Sequence, residues 1–508
     1  MASGDILVYI ASEDTSQEIL KEVKKIGAAV MADAAAFDWK SYFAARATGE
    51  IFTTKFQKYE TSTSPAGEKM NASTGLEAVP STELAAGKDD FATHNAFTAI
   101  DCNFIIDTNG KRIPTRIVGQ NGFSYTGKVD VGVLVPQTYW GIEDFDTYYL
   151  IHFSDKPHED MGLVPTPWCR DDKGNVLGYG IVTKYYAGKI DGILYSASGL
   201  AVNNFISHDS GHTEMQKKGS GYQGSGAARS AYLLTMLWIK YATKHSQSVF
   251  QGCTSYNFQY KVAQAETAKN YVTLTATQSA NCYAGGCVSL GNPGTNTNYD
   301  RGNTYMRDIA DKVKVTAIET VDDTTSRVYL DMPAKDIPST AYLSSMPCYS
   351  GTTDSLLGLD GQQKNDGKHA FKLGGVEEGI GAYYVSLDEI QNKETAETTS
   401  YYHRNGATWS NTSVAGYRKI GSVTNAGYQD KWIGDIRIDL TSGVSFPRLY
   451  GSGDSVGTGD RYYYGGNGTG LREKLERGYL GNGSSAGLSC LSGWSGLSAA
   501  HWSYAVCV

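Results

Sequence analysis

A glycine-rich segment is the first candidate for ligand chemistry. Gly219-Ser-Gly-Tyr-Gln-Gly224 has the spacing of a dinucleotide-binding fingerprint and stands before a segment with helical periodicity. Such a fingerprint needs an apolar strand immediately before it, so that the N-terminus of the helix meets the pyrophosphate. The preceding residues 212–218 are mostly polar. We therefore interpret the segment as a glycine-rich lead-in to a helix and predict no cofactor.

Two histidines flank a carboxylate in the segment His208-Asp-Ser-Gly-His212. A zinc site would require a third ligand and an element that fixes the pair. No third ligand is evident, so we predict a polar loop and no metal. The eight cysteines lack Cys-x-x-Cys spacing and a companion His/Cys cluster. They are expected to be mostly free, buried thiols, with one or two disulfides left open.

Four acidic residues in the glycine-rich segment 374–390 could act as general acids or bases, and these are Glu377, Glu378, Asp388 and Glu389. Adjacent acids in such a segment more often face solvent or fix a turn. No nucleophile–base pair and no phosphate-binding loop stands out elsewhere in the chain. We therefore predict that the protein is not an enzyme.

The C-terminal segment 478–508 contains no Asp, Glu, Lys or Arg. Average composition would place about seven charged residues in a stretch of this length. The segment instead holds Tyr479, Trp494, Trp502 and Tyr504 among many Ser and Gly. Two explanations stay open. Buried strands exclude charge because desolvating it is costly, and an uncharged recognition surface combines rigid aromatic rings with small polar residues.

Composition and charge limit the class of protein. The chain has 508 residues, of which 41% are hydrophobic and 19% charged, and this is enough apolar material for folded cores. The net charge is −8 and no basic stripe occurs, so nucleic-acid binding is not predicted. No apolar run approaches membrane-span length and no signal peptide is recognised, so we expect a soluble protein made in the cytoplasm, without membrane insertion.

The elements at the N-terminus are predicted from their periodicity and composition. A capping-box pattern and apolar spacing over 15–30 predict an amphipathic helix within an N-terminal segment 1–57. This helix either packs on its own domain or forms a short coiled-coil seam. Residues 58–96 are rich in Ser, Thr, Ala, Gly and Glu, and we predict a linker or extended arm there.

The pattern of apolar and polar residues changes several times along the rest of the chain, so we predict an α+β, multidomain protein. Short apolar runs separated by Gly, Asp and Asn over 97–205 predict an antiparallel β domain. An apolar stripe over 226–250 predicts a helix, with Lys240 and Lys244 on its polar side. The region after that helix is predicted to contain short strands and long polar loops.

The C-terminus resembles a known family. Arg477-Gly-Tyr-Leu-Gly-Asn-Gly-Ser-Ser-Ala-Gly-Leu-Ser489 resembles the start of the variable region in proteins diversified by diversity-generating retroelements, which include phage tropism proteins. Leu497-Ser-Ala-Ala-His-Trp502 matches their Leu-Ser-x-x-x-Trp pattern, and Gly374–Ile390 resembles the middle motif of the formylglycine-generating-enzyme-like branch of the C-type lectin fold. The resemblance implies a C-type-lectin-like ligand-binding domain over 206–508, with a variable region at about 461–508.

The resemblance also implies roles for single residues. Trp494 and Tyr504 are the expected anchors of the ligand, Trp502 is expected to be buried support, and the run 462–464 either extends the surface or packs as a strand. The expected ligand contacts are Tyr479, Cys490, Ser492, Trp494, Ser495, Ala499, His501, Ser503 and Tyr504. The expected scaffold of the variable region is Gly481, Asn482, Gly483, Ser484, Gly487 and Trp502.

The function implied by the resemblance is that of a phage receptor-binding or tropism protein. It would sit on the tail or capsid surface of the virion, be made in the host cytoplasm, and attach the particle to a protein or glycan receptor on the bacterial surface. The N-terminal segment would contact other virion proteins, and related proteins imply a homotrimer. Alternatives are a bacterial or prophage display adhesin, a formylglycine-generating-like enzyme, and a structural decoration protein of the virion.

Two departures from related proteins limit these expectations. The Glu-Pro-Asn, Gln-Pro-Asp and Trp-Asn-Asp motifs of calcium-dependent lectins do not occur in the sequence, so calcium-mediated sugar binding is not expected. The enzyme branch uses a closely spaced cysteine pair, whereas Cys490 and Cys507 are far apart. Both departures favour binding through side chains over metal or thiol chemistry.

Overall fold

The computed structural model describes residues 34, 36–293, 304–347, 349–385, 387–395, 397–406, 409–424, 429–465 and 468–508. The helix predicted over 15–30 lies outside these ranges. The described chain is mostly β structure in several sheets, with four helices, α1 (Trp39–Ala44), α2 (His208–Gln216), α3 (Ala227–Tyr241) and α4 (Ala276–Ser279). None of the helices in these ranges is long and apolar enough to cross a membrane.

Two antiparallel sheets form the N-terminal part of the structure. Their strands, with two short hairpins, are β1 (Phe52–Gln57), β2 (Glu68–Asn71), β3 (Ala78–Val79), β4 (Lys88–Asp89), β5 (Ile100–Ile106), β6 (Arg112–Ile117), β7 (Asp130–Pro136), β8 (Tyr139–Asp144), β9 (Tyr148–Ser154), β10 (Val164–Pro165), β11 (Tyr179–Thr183), β12 (Gly188–Ile190) and β13 (Ile193–Tyr195). One sheet has the order β10-β8-β9-β1-β2 and the other β11-β7-β5-β6. The antiparallel strands predicted between 97 and 205 are therefore present.

Residues 58–96 differ from the predicted linker. The segment contains β2, β3 and β4, and β2 pairs with β1 at the edge of the five-stranded sheet. Phe91 and Phe97 from this segment and its border are buried, and both rings contact Phe52. The Ser, Thr and Gly residues reflect short strands and tight turns, and a few apolar side chains suffice to fix the segment to the core.

Helix α3 lies in the middle of the molecule. It ends before the predicted boundary at 250, because Ala242 adopts a left-handed conformation with a φ of 47°. Trp238 and Leu234 belong to a core that also contains Phe56 of one sheet and Val133 of the other. The helix is thus enclosed by both sheets, and the β sheets and the C-terminal region share one apolar core.

The two lysines predicted on a polar face of α3 are buried. Lys240 Nζ lies 2.7 Å from the Asp89 carboxylate and 2.5 Å from that of Asp360. Lys244 Nζ lies 2.7 Å from the Asp435 carboxylate. A buried ammonium is tolerated only when a carboxylate neutralises it, and these partners come from segments distant in sequence. The polar-face prediction is therefore wrong for Lys240 and Lys244.

The C-terminal region contains the sheets that carry the candidate site. Its strands are β14 (Gln259–Lys261), β15 (Glu266–Lys269), β16 (Tyr271–Thr275), β17 (Cys287–Gly291), β18 (Ala310–Thr320), β19 (Thr325–Leu330), β20 (Lys335–Ile337), β21 (Tyr342–Ser345), β22 (Gly361–Gln362), β23 (Phe371–Leu373), β24 (Val376–Glu378), β25 (Tyr384–Val385), β26 (Glu389–Lys393), β27 (Thr398–Arg404), β28 (Tyr417–Thr424), β29 (Lys431–Ile438), β30 (Ser445–Gly451), β31 (Arg461–Tyr463), β32 (Gly470–Glu473), β33 (Leu475–Glu476), β34 (Leu491–Ser492) and β35 (Tyr504–Ala505). The largest sheet has the order β30-β29-β31-β34-β33-β25-β35. Two of its pairs, β25–β35 and β31–β34, are parallel.

The cysteines follow the sequence-based prediction. Six of them are free and buried, namely Cys102, Cys169, Cys253, Cys282, Cys490 and Cys507. Cys287 takes part in a disulfide. Burial raises the pKa of the Cys507 thiol to about 11 and that of Cys282 to about 12, so these thiols are protonated and unreactive at neutral pH.

Candidate binding surface

The charge-free segment runs through the large sheet and reaches the surface in one loop. Residues 485–493 and 502–508 are buried, whereas 494–501 is largely exposed or half-buried. Burial explains the absence of charge in the first two stretches, because an unpaired charge would be costly there. The loop 494–501, together with the exposed turn 481–484, is the part of the segment that faces solvent.

The expected ligand contacts divide by exposure. Trp494 is 56% exposed. The half-buried contacts are Tyr479, Ser495, Ala499 and His501. The buried ones are Cys490, Ser492, Ser503 and Tyr504. As packed, the buried four offer little side-chain surface to a ligand.

Tyr504 is an element of the sheet and not an exposed anchor. It pairs with Tyr384 in the parallel ladder β25–β35, and the two rings lie edge to face at 6.2 Å. Its hydroxyl forms a hydrogen bond with the Ser495 hydroxyl, and only 9% of the residue is exposed. Tyr504 therefore holds the base of the surface loop, while Trp494 projects from it.

The residues expected to form the scaffold surround this loop. Residues Leu480–Ser485 form a 3-10 turn, and the Asn482 side chain accepts the Tyr479 N–H at 2.8 Å. Gly483 has a φ of 53°, which favours glycine. Gly481 and Ser484 are exposed, Asn482 and Gly483 half-buried, and Gly487 and Trp502 buried. The carbonyl of Trp502 accepts a hydrogen bond from Asn204 at 2.9 Å.

Gly487 lies directly against a buried carboxyl group. A Cβ atom at this position would stand 1.9 Å from Asp460 Oδ1. Asp460 is fully buried, and its Oδ2 accepts the Ser489 N–H at 2.7 Å. Within the described part of the chain, Asp460 Oδ1 and Ser489 Oγ have no hydrogen-bond partner. Burial raises the pKa of Asp460 to about 8, so this carboxyl is mostly protonated at neutral pH.

Substituting Gly487 with alanine should lower the free energy of unfolding by about 1–3 kcal/mol, because the added methyl group overlaps the Asp460 carboxyl. Gly496 is the matched control in the surface loop, since a Cβ there meets nothing within 4 Å. Chemical denaturation of the two variants measures both values. Equal stability of Gly487→Ala and Gly496→Ala would contradict this packing.

A buried ionic network lies beneath the surface and centres on Glu378. Its carboxylate accepts hydrogen bonds from Arg229 at 2.5 Å, from Arg477 at 3.2 Å and from the Tyr186 hydroxyl. Burial alone would raise the pKa of Glu378, but the two guanidinium groups outweigh it and hold the pKa below its usual value. The network joins helix α3 to Arg477, the residue that precedes the charge-free segment 478–508.

A second part of the network lies on the neighbouring strands. Lys474 Nζ is 2.5 Å from the Glu476 carboxylate and 2.9 Å from that of Glu389, and all three side chains are at most 2% exposed. Of the two expectations for the acids of 374–390, that they face solvent or fix a turn, exposure to solvent is wrong for Glu378 and Glu389, because both are buried. Their basic partners lie on helix α3 and in residues 474–477 beside β33. These partners are distant in sequence, so the spacing of residues within 374–390 does not predict the ion pairs.

The other two acids of this segment also have structural roles. Glu377 accepts the Thr353 N–H at 2.9 Å and the Gly351 N–H at 2.9 Å, and burial raises its pKa to about 7. Asp388 accepts the Ala227 N–H at 3.1 Å at the first turn of α3. A carboxylate thus already occupies the helix N-terminus that follows the glycine-rich segment 219–224, which acts as a lead-in to α3.

The segment His208–His212, predicted as a polar loop, forms the first part of helix α2, and the Ser207 side chain caps it. The two imidazole rings lie 4.7 Å apart between centroids, and His212 stacks on Trp409 at 4.7 Å. Burial lowers the pKa of His212 to about 2, so it is neutral at physiological pH. No group of three potential metal ligands occurs among the residues that the structure describes.

Several residues beside the loop were missed by sequence reasoning. Trp432 on β29 and Arg461 on β31 are partly exposed there, and Asp430 lies with them, whereas Tyr463 belongs to the run 462–464 that the sequence had already indicated. In the run 462–464, the outer two tyrosines are buried and only the central one reaches the surface. Strand alternation gives the signal for this, because successive side chains of β31 point to opposite faces.

No known family model and no curated protein sequence matches this chain. The geometry offers one exposed tryptophan on a charge-free loop, held at both ends by the largest sheet of the structure.

Proposed function

We propose that the protein is a recognition protein that displays a variable ligand-binding loop, as a phage receptor-binding protein does for attachment to its bacterial host. The loop 494–501 is the main contact surface, and most of the remainder of 461–508 supports it. The resemblance of Arg477–Ser489 to retroelement-diversified proteins supplies the biological setting of this proposal. The proposal includes a C-type-lectin-like scaffold and a trimeric assembly on the virion.

The exposure of Trp494 carries the proposal. A tryptophan costs free energy when its ring faces water, and 56% of this residue does so. Rigid aromatic side chains of this kind dominate binding energy when a partner covers them. The loop around it holds Ser, Gly, Ala and His and no charged residue, so a partner can cover it without burying an unpaired charge.

The support beneath the loop is suited to presenting changing side chains. Leu491 and Ser492 pair with strands on both sides, and the loop returns to the sheet at β35. The charges that fix this base lie in the buried network and outside the loop itself. Residues of the loop can therefore change without removing a partner from the network.

Replacing Trp494 with alanine is expected to weaken adsorption of the protein to bacterial cells by about 30-fold, the effect of losing a central aromatic contact. Its thermal stability should stay close to that of the wild type, because the ring is mostly outside the core. The measurement is binding of labelled protein to a panel of bacterial strains by flow cytometry.

The matched control is Phe145→Ala, since Phe145 is also an exposed aromatic residue, 40% exposed, at the β8–β9 turn. It should leave adsorption unchanged. Equal losses for the two variants would indicate nonspecific stickiness, and an unchanged Trp494→Ala variant would remove the loop from the contact surface.

Diversification by a retroelement makes a separate genetic prediction. Sister clones should differ only in adenine positions of the codons that follow Gly487. Sequencing of the coding region from many clones measures this. Variation spread evenly over the 508 codons would contradict the diversification part of the proposal and leave the binding part standing.

A further inference from the structure

A solvent-facing arginine lies between two aromatic rings next to the proposed contact loop. The Arg461 guanidinium carbon is 5.6 Å from the ring centroid of Trp432 and 5.6 Å from that of Tyr463. Its side chain is 36% exposed. It makes no hydrogen bond to any described residue, and the closest carboxylate oxygen, on Asp430, is 4.0 Å away. The terminal N–H groups of Arg461 are therefore available to a ligand, whereas its Nε–H is buried and unpaired among the described residues.

This arginine and Trp494 belong to one continuous patch. Strands β31 and β34 are parallel neighbours, and the Gly493 N–H donates to the Tyr463 carbonyl at 2.9 Å. A Cβ atom at Gly465 would lie 2.9 Å from Trp494 Cζ3 and 3.1 Å from Asp430 Oδ1. The indole therefore sits against the same glycine that touches the Asp430 carboxylate. We call Trp432, Arg461, Tyr463, Trp494 and Asp430 the aromatic–arginine patch.

We infer that the aromatic–arginine patch binds a glycan, an inference that rests on the proposed function and names the class of its ligand. A sugar ring has an apolar face of C–H groups and a rim of hydroxyl groups. The exposed indole of Trp494 fits the C–H face, as aromatic rings do for flat apolar surfaces. The guanidinium of Arg461 donates to ring hydroxyls or to an acidic substituent, and the Asp430 carboxylate accepts from hydroxyls.

The composition of the patch favours a glycan over a protein partner. The core of a protein interface is apolar and depleted of charge, and its anchors fill desolvated pockets. Here Trp494 is the one large apolar side chain of 461–508, among the described residues, that is mainly exposed. Its neighbours in the patch are two partly buried aromatic rings, the Arg461 cation and the Asp430 carboxylate, and carboxylates are depleted at the cores of protein interfaces. Such a surface matches many hydroxyl groups and a few C–H faces.

The test compares two treatments of the bacterial cells that bind the wild-type protein. Periodate cleaves the vicinal diols of surface glycans, and proteinase K removes surface proteins. We expect periodate to reduce binding at least about 10-fold, because it destroys the vicinal hydroxyl groups that the patch would contact. We expect proteinase K to leave binding unchanged. Loss of binding after proteinase K, but not after periodate, overturns the glycan inference and leaves the proposed recognition function intact.

Variants of the patch complete the test. Arg461→Gln should weaken binding about 10-fold to lipopolysaccharide or capsular polysaccharide extracted from the bound strain, and Arg461→Lys should restore it only in part, because lysine lacks the planar fork. Arg418→Gln is the control, since Arg418 is 48% exposed on β28 and pairs with Asp439. Full binding by Arg461→Gln with a wild-type melting temperature overturns the inference.

Two arms separate the remaining outcomes. Binding of the protein is compared for a neutral polysaccharide, such as dextran, and an acidic one, such as alginate. The comparison shows whether Arg461 binds hydroxyl groups or carboxylates. If the wild-type protein binds no strain of the panel and neither extracted polysaccharide, both the glycan inference and the proposed function are overturned.

Discussion

Replacing Glu378 with glutamine is expected to lower the free energy of unfolding by about 3–5 kcal/mol, the cost of leaving buried charges unpaired. Glu378 is fully buried and pairs with both Arg229 and Arg477, and Arg477 also lies 3.6 Å from the Glu476 carboxylate. Glutamine keeps the volume but removes the charge, and its amide N–H groups would face guanidinium donors. The two arginines have no room to reach water, because each is at most 3% exposed.

Urea denaturation of the wild type and of Glu378→Gln measures this loss. The control is Glu68→Gln, since Glu68 is 68% exposed and lies 3.6 Å from Lys55, and exposed pairs contribute about 1 kcal/mol or less. Because the pKa of Glu378 is lowered in the folded state, its contribution should vanish as the pH falls below the ordinary value of 4.5. A loss no larger than that of Glu68→Gln would show that the network does not hold the fold.

The second prediction with a large effect concerns Asp460. Its carboxyl ionises near pH 3.8 in the unfolded chain and only at about pH 8 in the folded one. The unfolded chain therefore releases a proton that the folded chain retains, and stability falls as the pH rises between these values. The slope is about 1.4 kcal/mol per pH unit, or roughly 6 kcal/mol over the whole interval, and it ends above pH 8.

Asp460→Asn should remove this slope, because asparagine is neutral at every pH. The measurement is the difference in unfolding free energy between variant and wild type at pH 5, 6, 7 and 8, where the variant should gain relative to the wild type at each step. Asp191→Asn is the control, since Asp191 is 74% exposed beside Lys128. Parallel pH curves for wild type and Asp460→Asn would mean that Asp460 is charged in the folded protein.

The strands could be predicted from the sequence where they were short, had alternating apolar and polar residues, and paired with a strand nearby in sequence. The runs that became β5, β7 and β9 are bounded by turn residues, and each has one pairing partner close along the chain. The helix α3 was also visible, because its apolar residues recur with helical periodicity. Its end was not, since Ala242 carries no sequence signal for its left-handed conformation.

The candidate site could be predicted as a segment but not residue by residue. Trp494 and Tyr504 have the same chemical character and lie in the same charge-free stretch. Their different exposure depends on the pairing of β35 with β25, a contact between distant parts of the chain. Burial of Glu378 was hidden for the same reason, because Arg229 and Arg477 lie far from it in sequence.

The parallel pairing of β35 with β25 has a consequence for how the chain reaches its fold. Tyr384 pairs with Tyr504, so β25 gains this neighbour only after the C-terminal residues have been synthesised. The Thr183 hydroxyl likewise donates to the carbonyl of Val508 at 2.5 Å. Contacts between such distant segments close large loops and slow the search for the native state. While the chain is being translated, the N-terminal sheets can form before these contacts exist. Until the loop 494–501 and β35 have been synthesised, the large sheet keeps an unpaired edge, and unpaired edges are prone to aggregation.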